Sequence, residues 1–329
     1  AQVVYSEIRS LDKKCILIAG GPHPTARPFE VLEKGFDYAV TGEGEETLPD
    51  LLRAIEEGGV FEDVKGIAYM QNGKPAVTSP REYIDLDGYP PFTEKVYGPI
   101  EISRGCPFAC KFCQTSRIFG TKMRHRSIEV ITRYARHYGD IRFVSPNAFA
   151  YGSSGLKIEV EKIERLLKAL KSENKNVYFG TFPSEVRPEF VTQKALELVK
   201  QHCANDSLHI GGQSGSQRIL KEINRGHTAE DIINAVELCM DEGILPIVDF
   251  LFGLPGESRE DQIASLNLAK WICSRGGKIR LHHFKPLPGT PYENQKAATL
   301  DREVEKTLGK LALEGKTKGS MLQWPAASN

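Results

Sequence analysis

From residue 99 to residue 286 the sequence alternates six times between a short apolar run and a helical stretch, and this restricts the chain more than any other feature. The apolar runs are PIEISRG, IRFVSP, VYFGTF, SLHIGG, LPIVDFLFG and KIRLHHFKP. Between them lie SIEVITRYARHYG, LKIEVEKIERLLKALKS, EFVTQKALELVKQH, the pair GSQRILKEIN and AEDIINAVELCMDEG, and SREDQIASLNLAKWICSRG. Consecutive βα units predict a parallel sheet with helices outside, curled into a partial barrel. In such sheets chemistry gathers at the C-terminal ends of the strands.

Ahead of this region, residues 1–57 read helix, strand, helix, strand, helix. KCILIAGG is a short apolar run ending in glycines, as a buried parallel strand does, and LPDLLRAIEEGG is an amphipathic helix with a glycine stop. The unit is an incomplete doubly wound, Rossmann-like domain, because two strands make too small a sheet to stand alone. Its missing strands are expected upstream, and the first residue, Ala1, fits a chain cut from something longer. GIAYMQNGKPAV signals a hairpin at Asn72-Gly73, and IDLDGYPPF, with Pro90 and Pro91, reads as an extended linker. The expected division is residues 1–62 for the partial α/β domain, 63–98 for hairpin and linker, 99–295 for the barrel, and 296–329 for one charged helix and a polar tail.

The stretch ISRGCPFACKFCQTSR follows the first barrel strand, where a site is expected, and puts Cys106, Cys110 and Cys113 within eight residues. Structural zinc wants four ligands, usually as two separated pairs, and no second pair follows. His125, the nearest further ligand type, sits in a basic MRHRS run that reads as solvated. Three unrelated core cysteines do not fit a loop containing Pro107 and flanked by basic residues. A 4Fe–4S cluster does fit, since thiolates are its natural ligands and three of them leave one iron open. The other cysteines, Cys15, Cys203, Cys239 and Cys273, sit in apolar surroundings and read as small core residues.

The C-x3-C-x2-C spacing, with Phe112 before the last cysteine, resembles the signature of the radical S-adenosylmethionine (SAM) superfamily. The resemblance implies that Cys106, Cys110 and Cys113 hold the cluster, and that the amino acid end of SAM chelates the fourth iron. Reduction, by a donor such as flavodoxin or ferredoxin, then cleaves SAM to methionine and a 5′-deoxyadenosyl radical that abstracts hydrogen from a substrate. Ser145-Pro146-Asn147 ends the second strand, where the family often carries a Gly-Gly-Glu run for the SAM amino group; Ser145 and Asn147 would stand in its place. GGQSGSQRILKEINRGH resembles the methylthiotransferase-like branch, with Gln213 and Ser214 facing the SAM ribose or carboxylate. A capping or surface role for Gln213 is the plain alternative. DFLFGLPGES, containing Gly253, is similar to the family turn near the adenine, and HFKPLPGTPY is similarly typical.

GGPHPTA and TGEGEETL both follow strands and open helices, and read simply as two tight βα turns. With the LDGYPPF linker they also resemble cobalamin-binding domains fused in front of radical SAM cores. That implies Gly20, Gly21, Gly42, Glu43 and Gly44 lining the nucleotide tail of cobalamin, a third cofactor. The Asp-x-His-x-x-Gly motif that supplies a cobalt ligand in many such domains is absent, and His23 stands in a different context.

Charge is balanced at 43 basic and 43 acidic residues, so nothing global argues for nucleic acid or an acidic partner. Locally, Arg104 to Arg142 holds many cations and only two acids, Glu129 and Asp140, which suits an anionic cluster and is compatible with an RNA or phosphorylated substrate. Arg133 and Arg136 read as a solvated helix face, and of His282 and His283, alternating on one strand, one should point into the barrel. No apolar run approaches a spanning helix and no signal peptide is visible, so the chain reads as cytoplasmic. The expected activity is cobalamin-dependent methylation of an unactivated carbon on an unknown substrate. Methylthiolation of RNA or protein is the alternative, weakened by the lack of a domain with three further cysteines. A non-catalytic iron–sulfur electron carrier is a third reading, and it has no need of the barrel.

Overall fold

The structure is a computed structural model that describes residues 2–11, 15–91, 98–171 and 175–319. Residues 92–97 of the connector, Phe92 of the linker among them, and residues 320–329 of the polar tail lie outside the described residues.

In the N-terminal unit a helix, Gln2–Leu11, precedes β1 (Ile18–Ala19), helices Pro22–Ala26 and Pro28–Glu33, β2 (Tyr38–Val40) and helix Gly44–Glu57. β1 and β2 are parallel. The sequence pattern assigns the following hairpin, β3 (Ile67–Gln71) and β4 (Lys74–Val77), to a connector. It instead extends the sheet, because β3 pairs antiparallel with β2, giving the order β1-β2-β3-β4 among the described residues. Asn72 at φ 50° and Gly73 at φ 75° supply the two positive φ angles a type I′ turn needs. Ile67 and Tyr69 then close over Val40 and Leu51, a core that two strands could not have built.

The barrel strands follow in chain order: β5 (Ile100–Glu101), β6 (Ser103–Arg104), β7 (Arg124–His125), β8 (Asp140–Ile141), β9 (Phe143–Val144), β10 (Asn176–Val177), β11 (Ser207–Gln213), β12 (Leu245–Phe252), β13 (Lys278–His283) and β14 (Thr317–Lys318). β5 pairs with β9, β8 with β10, and β11 through β14 with one another, all parallel. The third strand joins the fourth through the Val186–Ile210 bridge and the 2.9 Å bond from His209 N–H to the Gly180 carbonyl. All six expected strands are present in order. One differs from the pattern, and one strand is additional. The first breaks after β5, and β6 turns away to pair antiparallel with β7, Ser103 opposite His125. The supposed polar tail adds a seventh parallel strand, β14, after the helix Arg302–Leu313. With no apolar run in TKG, only its pairing with β13 reveals it.

The helices hold their places by ordinary amphipathic burial. Val160–Lys171 buries Ile163, Leu166, Leu167 and Leu170, one face at i, i+3, i+4 and i+7, against the strands. Each such side chain contributes roughly 1.5–3 kcal/mol. Hydroxyl caps start several of the others: Ser127, Thr192, Ser216, Thr228 and Ser258 each accept from a backbone N–H of the first turn. No helix among the described residues is long and apolar enough to cross a membrane.

The two units are tied together by buried charge. The MRHRS run is not solvated: Arg126 is 1% exposed, donates from Nε to the Glu101 carbonyl at 2.8 Å, and reaches the linker carbonyls of Leu86 and Tyr89. His125 bonds Ser103 Oγ and the Ser153 carbonyl. Arg124 donates from Nη1 to Glu43 Oε2 at 3.0 Å, Arg104 lies 3.2 Å from Glu43 Oε1, and the Ile84 N–H donates to the same carboxylate at 2.9 Å. Glu43 comes from the β2 loop and the arginines from β6 and β7, so one carboxylate, 2% exposed, joins the N-terminal domain to the base of the cysteine loop. Despite its burial, the arginines and the Ile84 N–H hold Glu43 below the usual carboxylate range. Glu43→Ala takes from the largely buried Arg124 its carboxylate partner, while Arg104 keeps Glu45 and Glu101, and is expected to cost about 3 kcal/mol in denaturant unfolding. Arg53→Ala, removing an exposed pair with Asp50, is expected to cost less than about 1 kcal/mol. Equal losses would contradict a structural clasp at Glu43.

Candidate active site

The cysteine loop leaves β6 at Gly105, whose φ is 87°. A Cβ there would stand 2.3 Å from the Lys122 carbonyl oxygen, so the two limbs of the loop approach this closely only around a glycine. Cys106 N–H then bonds the Gly120 carbonyl at 3.1 Å, and Lys111 N–H bonds the Ile223 carbonyl at 3.0 Å, fastening the tip to the chain after helix Gln217–Glu222. Phe112 packs against Ile219, Ile223 and Phe284.

All three thiols are free; Cys110 is buried, Cys106 and Cys113 half-buried. Burial pushes the Cys106 thiol up; the Phe108 N–H and Arg187 pull it down, while Cys110 and Cys113 push it further up. The three sulfurs are therefore close enough to act on one another. Thr115 N–H donates to Cys113 Sγ at 3.4 Å, and Arg225 Nη1 donates to Cys110 Sγ at 3.8 Å. No three His, Cys, Asp or Glu side chains among the described residues converge as they would on a single metal ion.

Two arginines that the sequence patterns do not single out back the thiols. Arg187, after the third strand, lies 3.5 Å over the Phe108 ring and donates from Nε to Glu189 at 2.5 Å and from Nη2 to the Arg225 carbonyl. Burial, with the neighbouring Arg225 charge, lowers its pKa. Arg225 donates from Nη2 to the Gly211 carbonyl at 2.8 Å; a Cβ on Gly211 would lie 2.8 Å from that nitrogen, so the glycine makes room for the guanidinium. Asn147 Nδ2, Arg187 Nη1 and Arg225 Nε are buried donors with no acceptor. Buried donors are normally paired. Two of the three are on guanidiniums that act on the thiols, and Asn147 accepts from the Arg187 N–H, so the group fits an anionic occupant such as a thiolate-held iron–sulfur cluster with the carboxylate of a bound amino acid.

The remaining expected residues divide. Ser145 and Asn147 are together: Ser145 Oγ accepts from the Asn147 N–H, and Asn147 Oδ1 accepts from the Arg187 N–H. Gln213, in the left-handed region at φ 71°, shares a cavity with Phe112. Gly253 ends β12 against the His283 ring. Ser214 departs from expectation: its hydroxyl bonds Ser265 Oγ and accepts from the Ser216 N–H, wholly buried, so it fastens the loop to helix Arg259–Ser274 rather than facing a ligand. Glu43 likewise holds arginines and has no carboxylate oxygen left for a nucleotide tail. The two glycine loops meet, since the Gly42 N–H donates to Thr25 Oγ1 at 3.0 Å. Around Gly21 and Gly42 nothing lies within 4 Å of a built Cβ, an open backbone surface that fits the approach of a large cofactor. The signal for Arg225 is present in the RGH motif, and Arg187 stands at a strand end; only the fold places both behind Cys110.

Glu257, in the turn after β12, accepts from the Gly253 N–H at 2.7 Å, and its other oxygen is buried and unpaired. Burial raises its carboxyl to about 7, against the Gly253 N–H and with help from Asp261. The folded state thus keeps a proton that the unfolded chain releases near 4.5, and stability is lost as pH rises between those values, by roughly 3 kcal/mol at the alkaline end. Glu257→Gln removes this dependence. Its stability relative to wild type, followed by denaturant unfolding between about pH 5 and 8, should increase with pH; a constant difference would contradict the assignment.

Comparison with known proteins agrees with this arrangement. The profile of the Radical SAM superfamily matches residues 100–269, and that of the B12 binding domain matches residues 1–52. An uncharacterized methyltransferase of Pyrococcus horikoshii is 27% identical, with 88% of this chain and 65% of that protein covered. A tRNA-2-methylthio-N(6)-dimethylallyladenosine synthase of Anaplasma phagocytophilum is 27% identical over 95% of this chain and 68% of its own length. The radical SAM methyltransferase TsrM of Kitasatospora setae, solved with cobalamin and a [4Fe-4S] cluster bound, superposes with a TM-score of 0.69 at 18% identity, covering 89% of this chain and 59% of that one. The chain thus spans less than two thirds of several of the proteins it matches. With half of its length in the superfamily profile and the cysteine loop at the end of the first barrel strand, the chain belongs to the radical SAM superfamily.

Proposed function

We propose that this chain is the catalytic part of a cobalamin-dependent radical SAM methyltransferase acting on an unactivated carbon. The observation that carries the reading is the Glu43 clasp. It fixes the open glycine loops of the N-terminal domain to the two strands, β6 and β7, that carry the cysteine loop, so two cofactor sites are held on one rigid frame. When bound, the cluster and SAM supply a carbon radical, and cobalamin supplies a carrier for the methyl group. Cys106, Cys110 and Cys113 hold the cluster. Arg225, Arg187 and Asn147 present donors to the anionic side of the site, and Phe112, Gln213 and the Gly253 turn line the space for SAM and substrate. Packing of Phe112 and Phe284 keeps water from the reacting atoms. The electron comes from a donor such as flavodoxin or ferredoxin.

Similarity to methyltransferase-named relatives and to TsrM supports this reading. Methylthiolation is the second reading, favoured by the Anaplasma tRNA-modifying relative. The match of residues 1–52 to the B12 binding domain favours methylation over it.

The test is anaerobic reconstitution with iron, sulfide and hydroxocobalamin, followed by reaction with methyl-labelled SAM and a reductant. Release of 5′-deoxyadenosine and transfer of label to cobalamin are expected. Serine at any one of the three cysteines should abolish nucleoside release, and Arg225→Ala should weaken SAM binding about tenfold or more. No nucleoside from cluster-loaded wild type would rule out radical chemistry; nucleoside without labelled cobalamin would replace methylation by the second reading.

A further inference from the structure

A cluster held in the cysteine loop takes its electron from outside the chain, so the surface nearest the thiols decides which donor can approach. A concavity of about 580 Å³ opens there, lined by Ala109 and Lys111, the two chain neighbours of Cys110. Phe112 instead lines the barrel cavity with Gln213, so the cysteine loop stands between the two spaces. The opposite wall is helix Gln217–Glu222 with Asn224, whose Nδ2 donates to the Ala109 carbonyl at 3.3 Å. The next residue, Arg225, donates to Cys110 Sγ. The concavity is basic. Lys111, Arg117, Arg218 and Lys221 line it, with Glu222 as the acid among them. Lys111 lies 2.6 Å from Glu222, and Arg218 is paired with Asp261. Arg117 and Lys221, both exposed, have no acidic partner among the described residues.

Exposed cations do little for stability, but they suit an encounter. A concave wall dominated by one sign of charge raises the arrival rate of an oppositely charged partner by about 10- to 1,000-fold at low salt. Electron-transfer encounters are also small, so a shallow basin beside the ligand-bearing loop is enough for one. The barrel cavity, where a substrate meets the reacting atoms, lies across the loop and leaves this face to a partner that brings only an electron. We propose that the face formed by Lys111, Arg117, Arg218 and Lys221 is the docking surface of an acidic one-electron carrier protein. One electron passes from the carrier's reduced flavin or iron–sulfur centre to the oxidised cluster, with no atom transferred, and the carrier leaves oxidised by one electron. The inference rests on the reading above in taking the cysteine loop as the seat of the cluster.

The test mixes reduced, cluster-loaded protein, without SAM, with an oxidised acidic flavodoxin in a stopped-flow spectrometer, reading the downhill transfer that uses the same docking in reverse. The second-order rate should fall about tenfold or more between ionic strengths of about 20 and 300 mM. Arg117→Glu combined with Lys221→Glu should lower it about tenfold or more at the lower salt. Lys168→Glu combined with Lys270→Glu makes the same change of net charge on exposed residues of helices Val160–Lys171 and Arg259–Ser274, and should lower it less than about threefold. Benzyl viologen, a small cationic oxidant, checks the cluster itself, and its rate should fall in neither variant. Binding of fluorescently labelled flavodoxin to cluster-free protein, read by anisotropy at the lower salt, should weaken about tenfold in the Arg117/Lys221 variant alone. A flavodoxin rate indifferent to salt, or equal losses in the two double variants, would overturn the inference. So would loss of transfer RNA binding in the Arg117/Lys221 variant with its flavodoxin rate unchanged, which assigns the face to RNA. Because no SAM is present, the result is separate from SAM cleavage. Wild type with the expected charge dependence but no 5′-deoxyadenosine release keeps this inference and loses the radical reading; nucleoside release under a chemical reductant, with a flavodoxin rate indifferent to Arg117 and Lys221, does the reverse.

Discussion

Three thiols crowded into one loop would repel each other once ionised to hold a cluster, and the fold places positive charge and hydrogen-bond donors behind them. Neither comes from the loop alone. Arg225 arrives from beyond the fourth strand and Arg187 from beyond the third, the first donating to Cys110 and both flanking the triad. This requires that the third and fourth strands be parallel neighbours with their ends at the same level as the first, which is what a curled parallel sheet provides. The glycine at 211 and the left-handed Gln213 are local consequences, since a side chain at 211 would displace the Arg225 guanidinium. The three buried donors without acceptors mark where this charge balance is left for an occupant to finish.

Buried charge also decides how the two units are joined. An apolar interface would have tolerated sliding; a carboxylate held by two guanidiniums and a backbone N–H does not. Glu43 grips Arg104 and Arg124 at the base of the cysteine loop, and Arg126 takes linker carbonyls on the same side. The β2 loop that resembles a cobalamin contact and the base of the loop that carries the thiols are therefore joined through one carboxylate. Inside the barrel the same kind of interaction recurs, with Arg280 shared between Asp249 and Glu185.

What the sequence makes legible is periodic and local. Six strands, their helices, the Asn72-Gly73 turn and the cysteine spacing can each be read because residues close in the chain carry the signal. The hairpin's partner, the break after β5 and the strand at Thr317–Lys318 could not, because pairing partners far away in sequence decide them. The same holds for side chains. Ser214 and Glu43 stand in ligand-like loops, yet Ser265 in one case and two distant arginines in the other claim their polar atoms. The MRHRS run reads as solvated from composition, while the fold buries Arg126 against backbone carbonyls that no local pattern announces. Arg187 and Arg225 were invisible as a pair for the converse reason, since what they share is a place in space.

The central claim is that Cys106, Cys110 and Cys113 hold a cluster with one iron left open to SAM. Electron paramagnetic resonance of the reduced, cluster-loaded protein before and after addition of SAM tests it most directly. A change in the g values on adding SAM, lost when Cys110 is replaced by serine, is the predicted result. A well-loaded cluster whose spectrum is the same with and without SAM would contradict it.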